Sequence, residues 1–250
     1  MKQVTTWFLT LLLAASSVFA EEKDNTKTTG DDKTDGQMVK LQKKAKGLKT
    51  CKATISTTIR IEDQEVTVEG KGLFKGPGKM RVEESMPDGG GQVVLSDGSY
   101  LWIHDLSENM VTRINLGRVY QITQLEADVH QFDPLRPFRG VTWESIRYAG
   151  QEVSDGEMLE TFDATPQPSI LFAQLPTPPA KVKLAIHPGD GLLRTARLYD
   201  ADGNEMIVQA FSNVQGNREL EDKRFEFVVP AGAHPMDATN ETIGLFQLLQ

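Results

Sequence analysis

Cysteine is almost missing from this chain. Cys51 stands alone in 250 residues, so no internal disulfide staples the fold and the core must hold by itself. Histidine is equally sparse: His104, His130, His187 and His234 lie far apart with no ligand spacing and no cysteine partner, which excludes the usual zinc motifs. A Gly-x-Ser-x-Gly elbow and a phosphate-binding glycine loop are both absent, and with them the common signatures of hydrolases and nucleotide enzymes. Basic residues never cluster among aromatics, and the formal charge is −8. Nucleic acid and anionic membrane surfaces are therefore disfavoured as partners. No catalytic residue, metal or cofactor is expected.

Long apolar runs are missing too, apart from one at the N-terminus. Lys2, the apolar stretch Trp7 to Ala15 and the small-residue site Val18-Phe19-Ala20 read as an export signal, too short in its apolar part to span a membrane. The mature chain is expected to begin near Glu21. No cysteine follows that site, so no lipid anchor is expected. From Glu21 to Gly36 the chain is mostly Asp, Lys, Thr and Gly and reads as a disordered tether. A helix is expected from Gln37 to about Lys46, capped by Asp35, with Met38, Leu41, Ala45 and Leu48 on one side.

What is abundant is alternation. Cys51, Ala53, Ile55, Thr57, Ile59 and Ile61 share one face of a long strand, and its alternation makes Cys51 buried and inert. A second strand carries Val66, Val68, Gly70, Gly72 and Phe74, where two glycines on one face fit a bent sheet. A third strand holds Met80, Val82 and Met86. The hairpin Val93–Leu95, Asp97-Gly98, Tyr100–Ile103 is apolar on both faces, and its Asp-Gly dipeptide suits a type I′ turn. A further strand, Met110 to Leu116, closes a first meander. Helical spacing returns at Val119, Ile122, Leu125 and Val129, until Asp133-Pro134 and Arg136-Pro137 stop it.

A second meander follows, with strands near 145–154, 158–165, 181–187, 194–200, 205–215 and 223–229. The last of these rests on the alternation of Phe225, Phe227 and Val229. Thr165 to Pro179 carries five prolines and reads as an irregular loop. A short helix from about Asn240 ends the chain. These patterns predict a mainly β, α+β fold: an unclosed antiparallel barrel of about 11–12 strands under a helical lid, one domain over residues 37–250. The adjacent carboxylates Glu83-Glu84 and Glu219 to Asp222 read as solvated surface, since strand neighbours point to opposite faces.

Leu95-Ser96-Asp97-Gly98 followed by Leu101-Trp102, and Phe225-Glu226-Phe227 leading to Pro230-Ala231-Gly232, resemble the LolA/LolB-like outer-membrane lipoprotein carriers. The order of these motifs behind an N-terminal helix, Gly72, Pro77 and Arg81 extends the resemblance over about residues 37–237. It implies a periplasmic carrier without catalysis, whose apolar cavity takes lipoprotein or phospholipid acyl chains between an inner-membrane donor and an outer-membrane acceptor, as a monomer. Phe74, Met80, Val82, Met86, Val93, Leu95, Tyr100 and Trp102 are the candidate cavity lining; ordinary core packing is the alternative for the aromatics. Met38, Leu41, Val119, Ile122 and Leu125 are the candidate lid residues, either movable or simple plugs. Carriers of this type commonly place a lid-latching arginine just before the proline of the third-strand turn. Here that position is Gly76, so the latch does not carry over. The same fold also serves periplasmic sensors that bind a lipidated or protein ligand, which is the rival reading.

Overall fold

The computed structural model describes residues 29–61, 64–76, 78–86, 90–123, 132–138, 143–166, 175 and 177–248. The proposed export signal, most of the tether and Leu125 lie outside them. Helix α1 (Asp32–Lys46) is followed by β1 (Thr50–Ile61), β2 (Gln64–Lys75), β3 (Lys79–Ser85), β4 (Gly91–Asp97), β5 (Tyr100–Asp105), β6 (Met110–Asn115) and α2 (Leu116–Thr123). The second half holds β7 (Trp143–Ser154), β8 (Glu157–Pro166), β9 (Lys181–Ile186), β10 (Leu193–Tyr199), β11 (Glu205–Gly216), a 3-10 turn (Asp222–Phe225), β12 (His234–Asp237) and α3 (Thr239–Leu248).

Twelve strands form one sheet in the order β12-β6-β5-β4-β3-β2-β1-β11-β10-β9-β8-β7. Its two edges are β12 and β7, so it is unclosed. Two hairpin-connected meanders are joined along a single antiparallel seam, β1 with β11. The expected open antiparallel architecture is present, with one exception: β12 pairs parallel to β6.

Each face of the sheet follows from the alternation of its strands. One face, here called inner, carries Cys51, Ala53, Ile55 and Ile59 of β1, Val68 and Phe74 of β2, Met80 and Val82 of β3, Val94 of β4, and Leu101 and Ile103 of β5. It continues through Phe211, Leu198, Ala196, Leu184 and Phe162 of the second meander into the same core. Met38 and Leu41 of α1, Leu116 and Val119 of α2, Ile243 and Phe246 of α3, and Phe132, Leu135 and Phe138 of the connecting loop close over it. Across the second meander and the seam the outer face is charged: Glu152 binds both Lys183 and Arg197, and Arg60 binds Glu65 and Glu205. Such a face stays wet, which fixes which side of the sheet is core.

Three local expectations are corrected. Helix α1 starts at Asp32, not Gln37, because Asp31 caps it (its Oδ1 accepts from Lys33 N at 3.2 Å) and Thr34 finds a buried place. The β4–β5 turn is Gly98-Ser99 rather than a type I′ Asp97-Gly98: only Gly98 has positive φ (97°), while Asp97 Oδ1 accepts from Ser99 N and Tyr100 N at 2.7 and 2.8 Å. Asp155-Gly156 is the pair with both φ positive, 51° and 79°. Finally, residues 223–229 are not a strand; the last strand is His234–Asp237.

Candidate functional site

The floor of the inner face dips over β2. A Cβ on Gly72 would stand 2.6 Å from the Phe74 ring and 2.8 Å from Ile55 Cδ1; one on Gly70 would stand 2.9 Å from Glu84 Cγ. Both glycines are needed so that a neighbouring side chain can lie down across the strand. Phe74 then meets Phe211 edge-on across the seam, 6.4 Å between centroids.

The register gives the sheet two ends. At the lower end Thr50, Lys75, Lys79 and Asp97 stand in a row; at the upper end Ile59 pairs with Val66, and Ser85 with Gly91. The lower end is shut. Gly191 (φ 76°) presses against α1, where a Cβ would stand 2.3 Å from Leu41 O, and Lys44 Nζ donates to Pro188 O. Leu193 N donates to Pro134 O at 3.1 Å, bringing the connecting loop under the same end. At the upper end Val66, Met86, Met206 and Trp143 pack on the core only half-buried. They form an apolar rim.

Helix α1 is held at its other end by β7. Tyr148 N donates to Thr34 Oγ1 at 2.8 Å, Thr34 Oγ1 donates to Asp31 Oδ2 at 2.5 Å, and Lys33 Nζ lies 4.9 Å over the Tyr148 ring. The bond to Tyr148 N also covers part of an edge strand. Helices α2 and α3 pack on each other above β5 and β6.

Polar groups on the inner face are few and buried. Gln92 Nε2 donates to Glu84 Oε2 at 2.7 Å, and burial pushes the Glu84 carboxyl up to about 7. Gln209 Nε2 donates to Thr57 Oγ1 at 3.3 Å. Tyr148 Oη donates to Glu160 Oε2 at 2.5 Å, and that bond drives the phenol up to about 12. The Cys51 thiol, fully buried, is likewise pushed up to about 12 by desolvation. Among the described residues no group of three or more His, Cys, Asp or Glu is placed to hold a metal.

The candidate lining splits between the two faces. Phe74, Met80, Val82 and Met86 are on the inner face. Val93, Leu95, Tyr100 and Trp102 are on the outer face: Leu95 pairs with Trp102 and Arg81, and Val93 with His104 and Glu83. They cannot line one hollow with Phe74. The inner residues of that hairpin are Val94, Leu101 and Ile103.

What covers the outer group is residues 218–233, a strap without strand structure. Phe227 stacks on Trp102 with centroids 4.8 Å apart, Phe225 and Leu220 are buried, and Lys75 and Lys79 both reach Asp222 at 2.9 Å. Those two ammonium groups hold the Asp222 carboxyl down at about 2. Arg113 lies 5.4 Å from the Tyr100 ring and 2.6 Å from Asp237.

Of the candidate lid residues, Met38, Leu41 and Val119 are buried in the core, whereas Ile122 is exposed. Beside Gly76, where the latch arginine was absent, the guanidinium of Arg136 approaches from the connecting loop: a Cβ there would lie 3.5 Å from its Nη2. Glu84 departs from the surface expected for the Glu83-Glu84 pair. Glu83 is on the surface as expected, but Glu84 is 3% exposed. The signal was available, because Glu84 falls in phase with Met80, Val82 and Met86.

An open sheet, antiparallel but for β12, with an apolar inner face closed by helices is the architecture that the resemblance to the LolA-like carriers implied. No family model matches the chain. It is similar to an outer-membrane lipoprotein carrier protein from Dechloromonas aromatica, 26% identical over 200 residues that cover 79% of this chain and 86% of that one. The resemblance to the lipoprotein carriers is thereby borne out. An uncharacterized conserved protein from Thermus thermophilus superposes with a TM-score of 0.55 at 13% identity, over 81% of this chain and 97% of that one, a likeness of fold. A LolA superfamily protein from Nitrosomonas europaea superposes with a TM-score of 0.39 at 16% identity, over 78% and 97%. No described helix is long and apolar enough to cross a membrane.

Proposed function

We propose that this chain is a periplasmic carrier that holds acyl chains, of lipoproteins or of other lipids, against the inner face of its sheet and moves them towards the outer membrane. The observation that carries the reading is the apolar inner face running from Phe74, Met80 and Val82 to Leu101 and Ile103 beneath the three helices. The similarity to the Dechloromonas lipoprotein carrier supports it. Residues 1–20 would direct export and be removed, and no step of bond chemistry is involved.

Loading is an exchange of apolar contacts. A dozen acyl methylenes moved out of water contribute roughly 10 kcal/mol. Lifting Leu116, Val119, Ile243 and Phe246 off the sheet costs roughly 1.5–3 kcal/mol each. These two quantities are of one size, so filling and emptying can be reversible. A donor in the inner membrane and an acceptor in the outer membrane would set the direction.

Native mass spectrometry with lipid extraction, on protein purified from a bacterial periplasm without detergent, tests the reading. Co-purified lipid or lipoprotein supports it. An empty, folded protein that also ignores added uncharged fluorescent acyl probes sinks it, and points to a protein ligand.

A further inference from the structure

Glu84 and Gln92 stand opposite one another on β3 and β4, 3% and 1% exposed. They lie at the upper end of the inner face, directly inside the rim residue Met86. Val82 and Val94 form the next row below them. On the far side of Glu84 is Gly70, whose missing side chain is the space Glu84 occupies. The single bond from Gln92 Nε2 to Glu84 Oε2 uses one amide proton. Gln92 Oε1 is buried and has no hydrogen-bond partner.

A buried carbonyl without a donor is costly and uncommon in a native core. Among the described residues no cation is bonded to either side chain. Lys71 and Glu83, charged residues next to Gly70 and Glu84 along their strands, are on the outer face, paired with each other in register. Asp105, beyond Gln92 on β5, spends Oδ1 on Ser107 N and Glu108 N at 2.8 and 3.1 Å. The place thus leaves one carbonyl acceptor unpaired, at the upper end of an otherwise apolar face.

We infer that Glu84 and Gln92 form a head-group station, which takes an uncharged hydrogen-bond donor, an amide N–H or a hydroxyl, at the head of an acyl chain lying along Val82, Met80 and Leu101. This rests on the carrier reading and adds a specificity to it. Carboxylate and phosphate head groups are disfavoured, because they would face the Glu84 carboxyl and the Gln92 carbonyl. An ammonium group would leave its own hydration for one carboxyl in an apolar mouth, which is a poor exchange. A neutral donor satisfies the orphaned carbonyl and brings no charge inside.

The test compares palmitamide and 1-monopalmitoylglycerol with methyl palmitate, which has no donor, by displacement of a fluorescent acyl probe from the full mature chain. The amide and the glyceride are expected to bind about five- to tenfold more tightly than the ester, the worth of one net hydrogen bond. Replacing both partners with apolar groups of like size, Glu84→Met with Gln92→Met, is expected to erase that preference and retain ester binding. Equal binding of amide and ester by the native chain overturns the inference while leaving the carrier reading in place; so does a preference that survives the double substitution. If none of the probes binds, the carrier reading falls and the station falls with it. Should the double variant fail to fold, the comparison on the native chain decides alone.

Discussion

The ring of Phe227 lies on the indole of Trp102, 7° from parallel and 4.8 Å away, on the face of the sheet that points away from Phe74 and Met80. This stack holds the strap to the first meander. Trp102→Ala is expected to cost about 2 kcal/mol in denaturant unfolding and to open Arg218, Lys223 and Arg224 to trypsin. Acyl binding should stay unchanged, because the inner face is untouched. Lost acyl binding with native trypsin resistance would contradict the assignment of faces.

Glu84 gives a pH dependence with a definite sign. Its carboxyl is raised from 4.5 to about 7 in the folded chain by burial. Below 4.5 both folded and unfolded states are protonated and the group costs nothing. As pH rises towards 7 the unfolded state ionises first, so stability falls, by on the order of 3 kcal/mol in total. Glu84→Gln removes that loss. Its stability relative to the native chain should therefore climb between these two pH values and level off above them, as read from paired chemical melts. A flat difference would show that Glu84 is solvated.

Helix α1 depends on the missing side chain of Gly191. An alanine there meets Leu41 O and also adopts a left-handed φ, together at least about 2 kcal/mol. Hydrogen exchange of the Met38 to Ala45 amides should accelerate in Gly191→Ala, more than in β3 or β4. Uniform acceleration across the sheet would mean that α1 does not loosen as a unit.

Cys51 should be silent until the chain unfolds. With the thiol fully buried and pushed up to about 12, almost no thiolate is present at neutral pH. Maleimide or iodoacetamide should label it only in denaturant. Rapid labelling of the folded protein would place β1 at the surface.

Much of the fold was legible because β1, β2, β9 and β10 put apolar residues in phase on one face and charges on the other. Which residues share the inner face was only half legible, for a physical reason. The β4–β5 hairpin is apolar on both faces, Val94, Leu101 and Ile103 against the core and Leu95 and Trp102 under the strap, and period-two alternation carries no label for inside. The strap misled in the same way. Phe225 and Phe227 alternate because both rest on one sheet face, which imitates a strand without ladder bonds. Strand β12 was invisible: His-Pro-Met-Asp is exposed throughout, and its pairing with β6 is dictated by the strap that delivers it.

The seam between β1 and β11 has a consequence for how the chain comes into being. Gln209 reaches Thr57 across 152 residues of sequence, whereas β1–β6 and β7–β11 are each built from neighbouring hairpins. During synthesis the first meander is complete long before its missing neighbour arrives, and for that interval a twelve-residue strand studded with isoleucines offers an open ladder to any passing chain. A polypeptide stopped short of Glu205 keeps that ladder open for good. Emergence of Glu205 to Gly216 is the step that takes it out of circulation.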